Sequence, residues 1–166
     1  MQNLPSKHRQ SLDKARAESE DIKKLFSKLK KKKPKDLDEA FHRLHEREFR
    51  NMDCLECANC CKTTSPIFRD VDIKRLSKFL RMKENDLIAT YLKIDEDNDY
   101  VLQHSPCSFL GDDNKCSVYE HRPLACREYP HTDRKNMHQI LDLTRRNTQV
   151  CPAVANIVDE MKLRYQ

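Results

Sequence analysis

Eight cysteines stand in a chain of 166 residues that has one glycine and no tryptophan. Four are bunched at Cys54, Cys57, Cys60 and Cys61, in the order Cys-Leu-Glu-Cys-Ala-Asn-Cys-Cys. Four are spread out, at Cys107, Cys116, Cys126 and Cys151. A CxxC step lets two thiolates reach one ion across a tight turn, so this is a metal-ligand spacing. Zinc sites and iron–sulfur sites share it, so it names a chemistry before it names a metal. Eight thiolates suffice for two four-thiolate sites or two cubane clusters. Cys60 and Cys61 are joined by stiff backbone and do not both point comfortably at one small ion. The expectation is that they serve different metals, or that one bridges. The bunched cysteines then form a hub, completed by Cys107, Cys116, Cys126 and Cys151.

Other residues near this pattern carry lesser expectations. A vicinal disulfide at Cys60–Cys61 is a strained alternative. His104, His121 and His131 lie in the cysteine-rich half and are expected at the surface or behind the ligands, because thiols are plentiful. Asp53 and Glu56 flank the cluster as minor candidates for carboxylate ligands. Arg122 and Arg127 bracket Cys126, and a metal held by four thiolates carries excess negative charge. Guanidinium groups beside it can offset that charge and donate N–H bonds to sulfur. The competing role is to hold a phosphate or carboxylate of a substrate.

The elements that must position these residues are mostly helical. Leu12, Ala15, Ser19, Ile22, Phe26 and Leu29, with Leu25 beside them, predict one amphipathic helix over roughly 6–31, ended by Lys30–Lys33 and Pro34. Asp36 and Glu39 form a capping-box pattern for a second helix that carries Leu37, Ala40, Phe41, Leu44 and Phe49. After the cluster, Asp70 is expected to cap a helix bearing Val71, Ile73, Leu76, Phe79 and Leu80. A shorter helix follows, with Leu87, Ile88, Tyr91 and Leu92. This pair has too few basic residues for a DNA-reading helix-turn-helix. Asp95–Asp99 reads as a polar hairpin turn rather than a calcium loop, whose glycine and closing glutamate are missing. Tyr100–Leu102 reads as a short strand. Cys107–Cys116 reads as a hairpin turning at Gly111, which brings its two cysteines together. Ile140, Leu141 and Leu143 suggest another strand. Pro152 opens a last helix, with Val154, Ile157, Val158 and Met161 on one face.

Composition bounds the rest. Apolar residues are 37% and aromatics 7%, a thin supply for a core that a metal could reinforce. The net charge is +5. Residues 1–50 hold 15 Lys+Arg against 9 Asp+Glu, while residues 51–166 hold 17 against 18. The basic excess therefore sits in the first third. The expected division is a basic two-helix extension over 1–50 and a cysteine-cluster domain over 51–166. The fold class is mainly α with a small β-hairpin element, a small domain stapled by metal. No apolar run nears the ~20 residues of a membrane span, and no signal-peptide core is present. A cytoplasmic location follows as the expectation, and in a reducing compartment cysteines serve as ligands rather than disulfides. The lysine run reads as a solvated helix end. A nucleic-acid patch is not favoured, because no aromatic residues interleave with the lysines. A protein partner for the N-terminal helices is kept open.

Six separated elements together resemble one known family. They are Cys54/Cys57/Cys60/Cys61, the helix Asp70–Leu80, Cys107-Ser-Phe-Leu with Cys116-Ser-Val-Tyr119, Arg122-Pro123 through Cys126-Arg127, Tyr129-Pro130, and Cys151-Pro152. Over residues 54–152 the chain is similar to the zinc- or iron-chelating CxxCxxCC cysteine-cluster domains. That family often has glycine between the second and third cysteines, where this chain has Ala58-Asn59. It often has glycine after the late Cys-Pro, where this chain has Ala153. The resemblance implies chelation of zinc or iron and little more; the eight cysteines as ligands are the reading of the residues themselves. The residues themselves favour a thiolate module whose metal is structural or chelated. The alternative is an iron–sulfur protein that transfers electrons or assists an enzyme. An independent enzyme is not expected: a chain with one glycine has no Gly-rich phosphate loop, and no nucleophile–base pattern stands out.

Overall fold

The computed structural model describes residues 4–165. The expected N-terminal helix forms, but as two segments, α1 (Ser6–Ala17) and α2 (Ser19–Lys32). The break is at Glu18, whose backbone leaves the helical range at φ −99° and ψ 15°. The ladder is kept across it by Glu18 N–H to Lys14 C=O and Ile22 N–H to Glu18 C=O, both 3.0 Å. Leu12, Ala15, Ile22, Leu25, Phe26 and Leu29 are buried, as the periodicity requires. The helix stops at Lys33, which adopts the left-handed conformation and returns its N–H to Leu29 C=O, and Pro34 follows.

α3 (Leu37–Asn51) buries Leu37, Ala40, Phe41 and Leu44. Asp36 precedes it without capping it, because its carboxylate is taken by Arg164 at 2.6 Å. Two short helices, α4 (Cys54–Cys57) and α5 (Asn59–Thr63), carry the clustered cysteines. α10 (Pro152–Tyr165) buries Val154, Ile157, Val158 and Met161. The strand expected around Ile140–Leu143 is a helix, α9 (Leu141–Asn147). Three apolar residues cannot tell a period of two from 3.6. The residues that bury are Leu141, Thr144 and Asn147, a helical spacing, and Thr144 Oγ donates back to Ile140 C=O.

α6 (Asp70–Leu80) and α7 (Glu84–Tyr91) lead into an antiparallel pair, β1 (Leu92–Ile94) and β2 (Tyr100–Leu102), with Leu92 opposite Leu102. The acidic segment between the strands is a turn. Asp95 Oδ1 accepts the amides of Asp97 and Asp99, and Asn98 takes φ 65°. The hairpin expected over Cys107–Cys116 shrinks to a single bridge, Leu110 to Cys116. Gly111 there has no positive φ; that role falls to Asn114, at 62°. A Cβ at Gly111 would meet Asp113 Oδ1 at 2.9 Å, the movable end of a side chain, so neither handedness nor tightness demands glycine there. α8 (Leu124–Glu128) carries Cys126. The fold is thus mainly helical with one small hairpin.

The chain divides into two compact units, and the division is not at residue 50. One unit joins the residues up to Cys57 with those from Pro130 on, and the other is Ala58–Tyr129. The first has its own core, in which Leu12, Phe26, Leu29 and Phe41 meet Leu141, Val154, Ile157 and Met161. The second packs Phe68, Ile73, Leu76, Leu87, Leu102, Phe109 and Val118. The N-terminal helices are therefore half of a core rather than an extension. Among the described residues, no helix is long and apolar enough to cross a membrane.

Candidate metal centre

The cysteines gather into groups that follow the two units. In the second unit, Cys61, Cys107, Cys116 and Cys126 lie within electrostatic reach of one another. Cys61 is on α5 and Cys126 on α8. Cys107 is tied to Cys61 by its own amide, which donates to Cys61 C=O at 2.8 Å. The Leu110–Cys116 bridge then carries Cys116 back towards Cys107, as the expected hairpin required. Cys60 is next to this group, its sulfur 3.9 Å from that of Cys61. In the first unit, Cys151 lies within electrostatic reach of Cys57 and Cys54. Among the described residues none of the eight cysteines is in a disulfide.

Backbone amides already face several sulfurs. The Cys107 sulfur is met by the N–H groups of Phe109 and Leu110, that of Cys116 by Val118, and that of Cys151 by Ala153 and Val154. The donors lie two and three residues after the cysteine, so each turn folds its own amides towards the sulfur. For Cys151 the same amides form the start of α10, which favours negative charge. Such donors stabilise a thiolate and tune a metal bound to it.

The thiols differ in acidity. The Cys60 thiol donates to Cys61 and, with Arg122 and Lys62 adding positive charge against the effect of burial, holds Cys61 down at about 7. Burial pushes Cys126 up to about 12, helped by the charges of Cys61, Cys107 and Cys116. Burial likewise pushes Cys151 up to about 12 and raises Cys107 and Cys116. A metal reverses this, since its charge replaces the protons and the thiols bind as thiolates. Among the described residues, no three His, Cys, Asp or Glu side chains already stand at the spacing of a formed metal site.

Arg122 lies on the thiol side of the second unit. It lies within reach of Cys61, Cys116 and Cys126, and its guanidinium stacks on the Tyr119 ring, 3.4 Å from the centroid. Arg127, on the same short helix as Cys126, is exposed. His104 is exposed and His131 half-buried. His121 stacks on Phe79 with ring centroids 4.2 Å apart, and its buried Nδ1 has no hydrogen-bond partner. Asp53 and Glu56 are exposed, and the Asp53 carboxylate accepts the Leu55 amide at 2.8 Å.

Sequence reasoning missed Asp72. Asp70 was the expected cap of α6, but it is the first helical residue, and the capping position belongs to Arg69. Asp72, only 1% exposed, reaches back to the Arg69 amide at 3.3 Å and accepts Arg69 Nε at 3.0 Å and Arg75 at 2.7 Å. It also accepts the Leu124 amide at 3.3 Å, while Arg75 donates to Arg122 C=O at 2.8 Å. Asp72 and Arg75 thereby clamp α6 to the segment that presents Arg122 and Cys126. The signal available in sequence was an acidic residue three positions after one arginine and three before another.

The family model described as "CxxCxxCC: Putative zinc- or iron-chelating domain" matches residues 53–152, and the chain belongs to that family. Zinc or iron chelation is what this membership carries. No curated protein and no solved structure matches the chain. Ala58, between the second and third clustered cysteines, adopts the left-handed conformation at φ 45°. The position demands a backbone that glycine adopts without cost and alanine adopts under strain.

Proposed function

We propose that the protein chelates metal through two sets of thiolates: Cys61, Cys107, Cys116 and Cys126 in the second unit, and Cys54, Cys57 and Cys151 in the first. The observation that carries this reading is the gathering of four thiols from distant parts of one unit, with backbone amides turned towards Cys107 and Cys116 and Arg122 beside them. Zinc in closed tetrahedral coordination, with a structural role, is the metal that four thiolates and no open position suit best. When bound, it supplies charge that holds the thiolates together and folding free energy that a small core lacks. Arg122 offsets the excess negative charge. A cytoplasmic, reducing setting keeps the ligands as thiols.

The same thiols could carry an iron–sulfur cluster, and one experiment separates the two. The untagged protein is purified without air, its metal is measured by elemental mass spectrometry, and its absorption spectrum is recorded. Zinc without colour supports closed structural sites. Iron with acid-labile sulfide and a brown band replaces that reading with an electron-transfer role. A folded protein with no metal overturns the proposal.

A further inference from the structure

The first unit gathers only three thiols, Cys54, Cys57 and Cys151, where a structural tetrahedral site takes four ligands. We propose that His8 supplies the fourth, making a three-cysteine, one-histidine site for a divalent cation of the zinc class. This rests on the metal-binding reading above and adds a ligand from outside residues 53–152, the span shared with the family.

His8 is 3% exposed, on the buried stripe of α1 with Leu12 and Ala15. Its Nδ1 is buried and has no hydrogen-bond partner. A buried ring nitrogen left unsatisfied is destabilising, and native structures rarely tolerate one without a role for it. An ordinary core histidine would have a carbonyl or hydroxyl there. The lone-pair nitrogen of a neutral imidazole takes either a hydrogen-bond donor or a metal ion, and no donor meets Nδ1 here.

Two observations place His8 beside the thiols. First, α1 and α10 run side by side in the same direction. Lys14 pairs with Asp159 at 2.7 Å, Glu18 pairs with Lys162, and one cleft is lined by Lys7 and Ser11 from α1 and by Ala155 and Asn156 from α10. Both helices advance about 1.5 Å per residue. Stepping back about six residues from Lys14 and Asp159 therefore brings His8 level with the first turn of α10, directly after Cys151. Second, Glu56, which lies between Cys54 and Cys57 on α4, is within electrostatic reach of His8. The helix register thus brings the first turn of α10, and Glu56 brings α4, to the neighbourhood of the His8 ring.

The test compares wild-type protein with His8→Ala and His8→Cys, using metal content per chain and X-ray absorption at the metal edge. The expected wild-type spectrum shows imidazole scattering mixed with sulfur. His8→Ala is expected to lose the metal of this group and keep that of the Cys61 group. His8→Cys is expected to regain it with an all-sulfur shell. An all-sulfur shell in the wild type overturns the proposal, whatever the variants do. So does a His8→Ala protein with undiminished metal. Wild-type protein without metal would sink the thiolate reading as well, so the two failures are distinguishable.

Discussion

Cys61 and Cys126 sit in one group of thiols yet hold their protons very differently. A hydrogen bond from Cys60 and the charge of Arg122 bring Cys61 to about 7, whereas burial takes Cys126 to about 12. In metal-stripped protein at pH 7, iodoacetamide should therefore alkylate Cys61 well ahead of Cys126 and Cys151, read by peptide mass spectrometry. Arg122→Ala should slow that reaction severalfold by removing the positive charge, and an unchanged rate would show that Arg122 does not act on Cys61. Metal binding must displace protons from Cys107, Cys116 and Cys126, all raised, so metal affinity should climb as pH rises from about 6 to 9. Competition with a chromophoric chelator measures this, and a flat profile would argue against thiolate ligands. The cysteine spacing, and with it the family, was legible, because a metal-ligand spacing is written in residue type. How the cysteines divide was not legible, since nothing local to Cys151 tells which distant thiol it will meet.

At the scale of elements, Asp72 is the residue on which the presentation of Cys126 depends. Burial alone would raise its carboxyl, but hydrogen bonds from Arg69 and Arg75 outweigh this and hold it below the ordinary aspartate value. Its stabilising effect is present above the unfolded value near 3.8 and is lost as pH falls through the lower folded value. Asp72→Ala leaves Arg75 and the Leu124 amide without their acceptor. It should cost about 3 kcal/mol, measured by urea unfolding at pH 7, and should flatten the acid limb of the stability profile. Long helices with a clear apolar stripe, α2, α3 and α10, were readable because burial selects one face. The 141–147 helix and the reduced Cys107–Cys116 turn were not. Short segments carry no period, and their state is set by what they pack against. The capping box at Asp36 failed for a related reason: a distant arginine, Arg164, competes for the same carboxylate.

At the scale of the molecule, the basic first third is joined to the end of the chain. Val154, Ile157, Val158 and Met161 are fully buried, in a core shared with α1, α2 and α3. A fragment of residues 51–166 leaves that face of α10 uncovered and should aggregate or lack a cooperative thermal transition, whereas the full chain should show one. A soluble, folded fragment would restore a boundary near residue 50. Composition and spacing alone determined the helical class, the thiol chemistry and the family, because these depend on residue type, local periodicity and short intervals along the chain. Tertiary structure alone decided that the helices before the cysteines complete a core with residues after them. It also sorted the thiols into two groups, and it buried His8 and Asp72. Those facts depend on contacts between residues far apart in the chain, or on which of several partners a charge meets, and no local pattern encodes them.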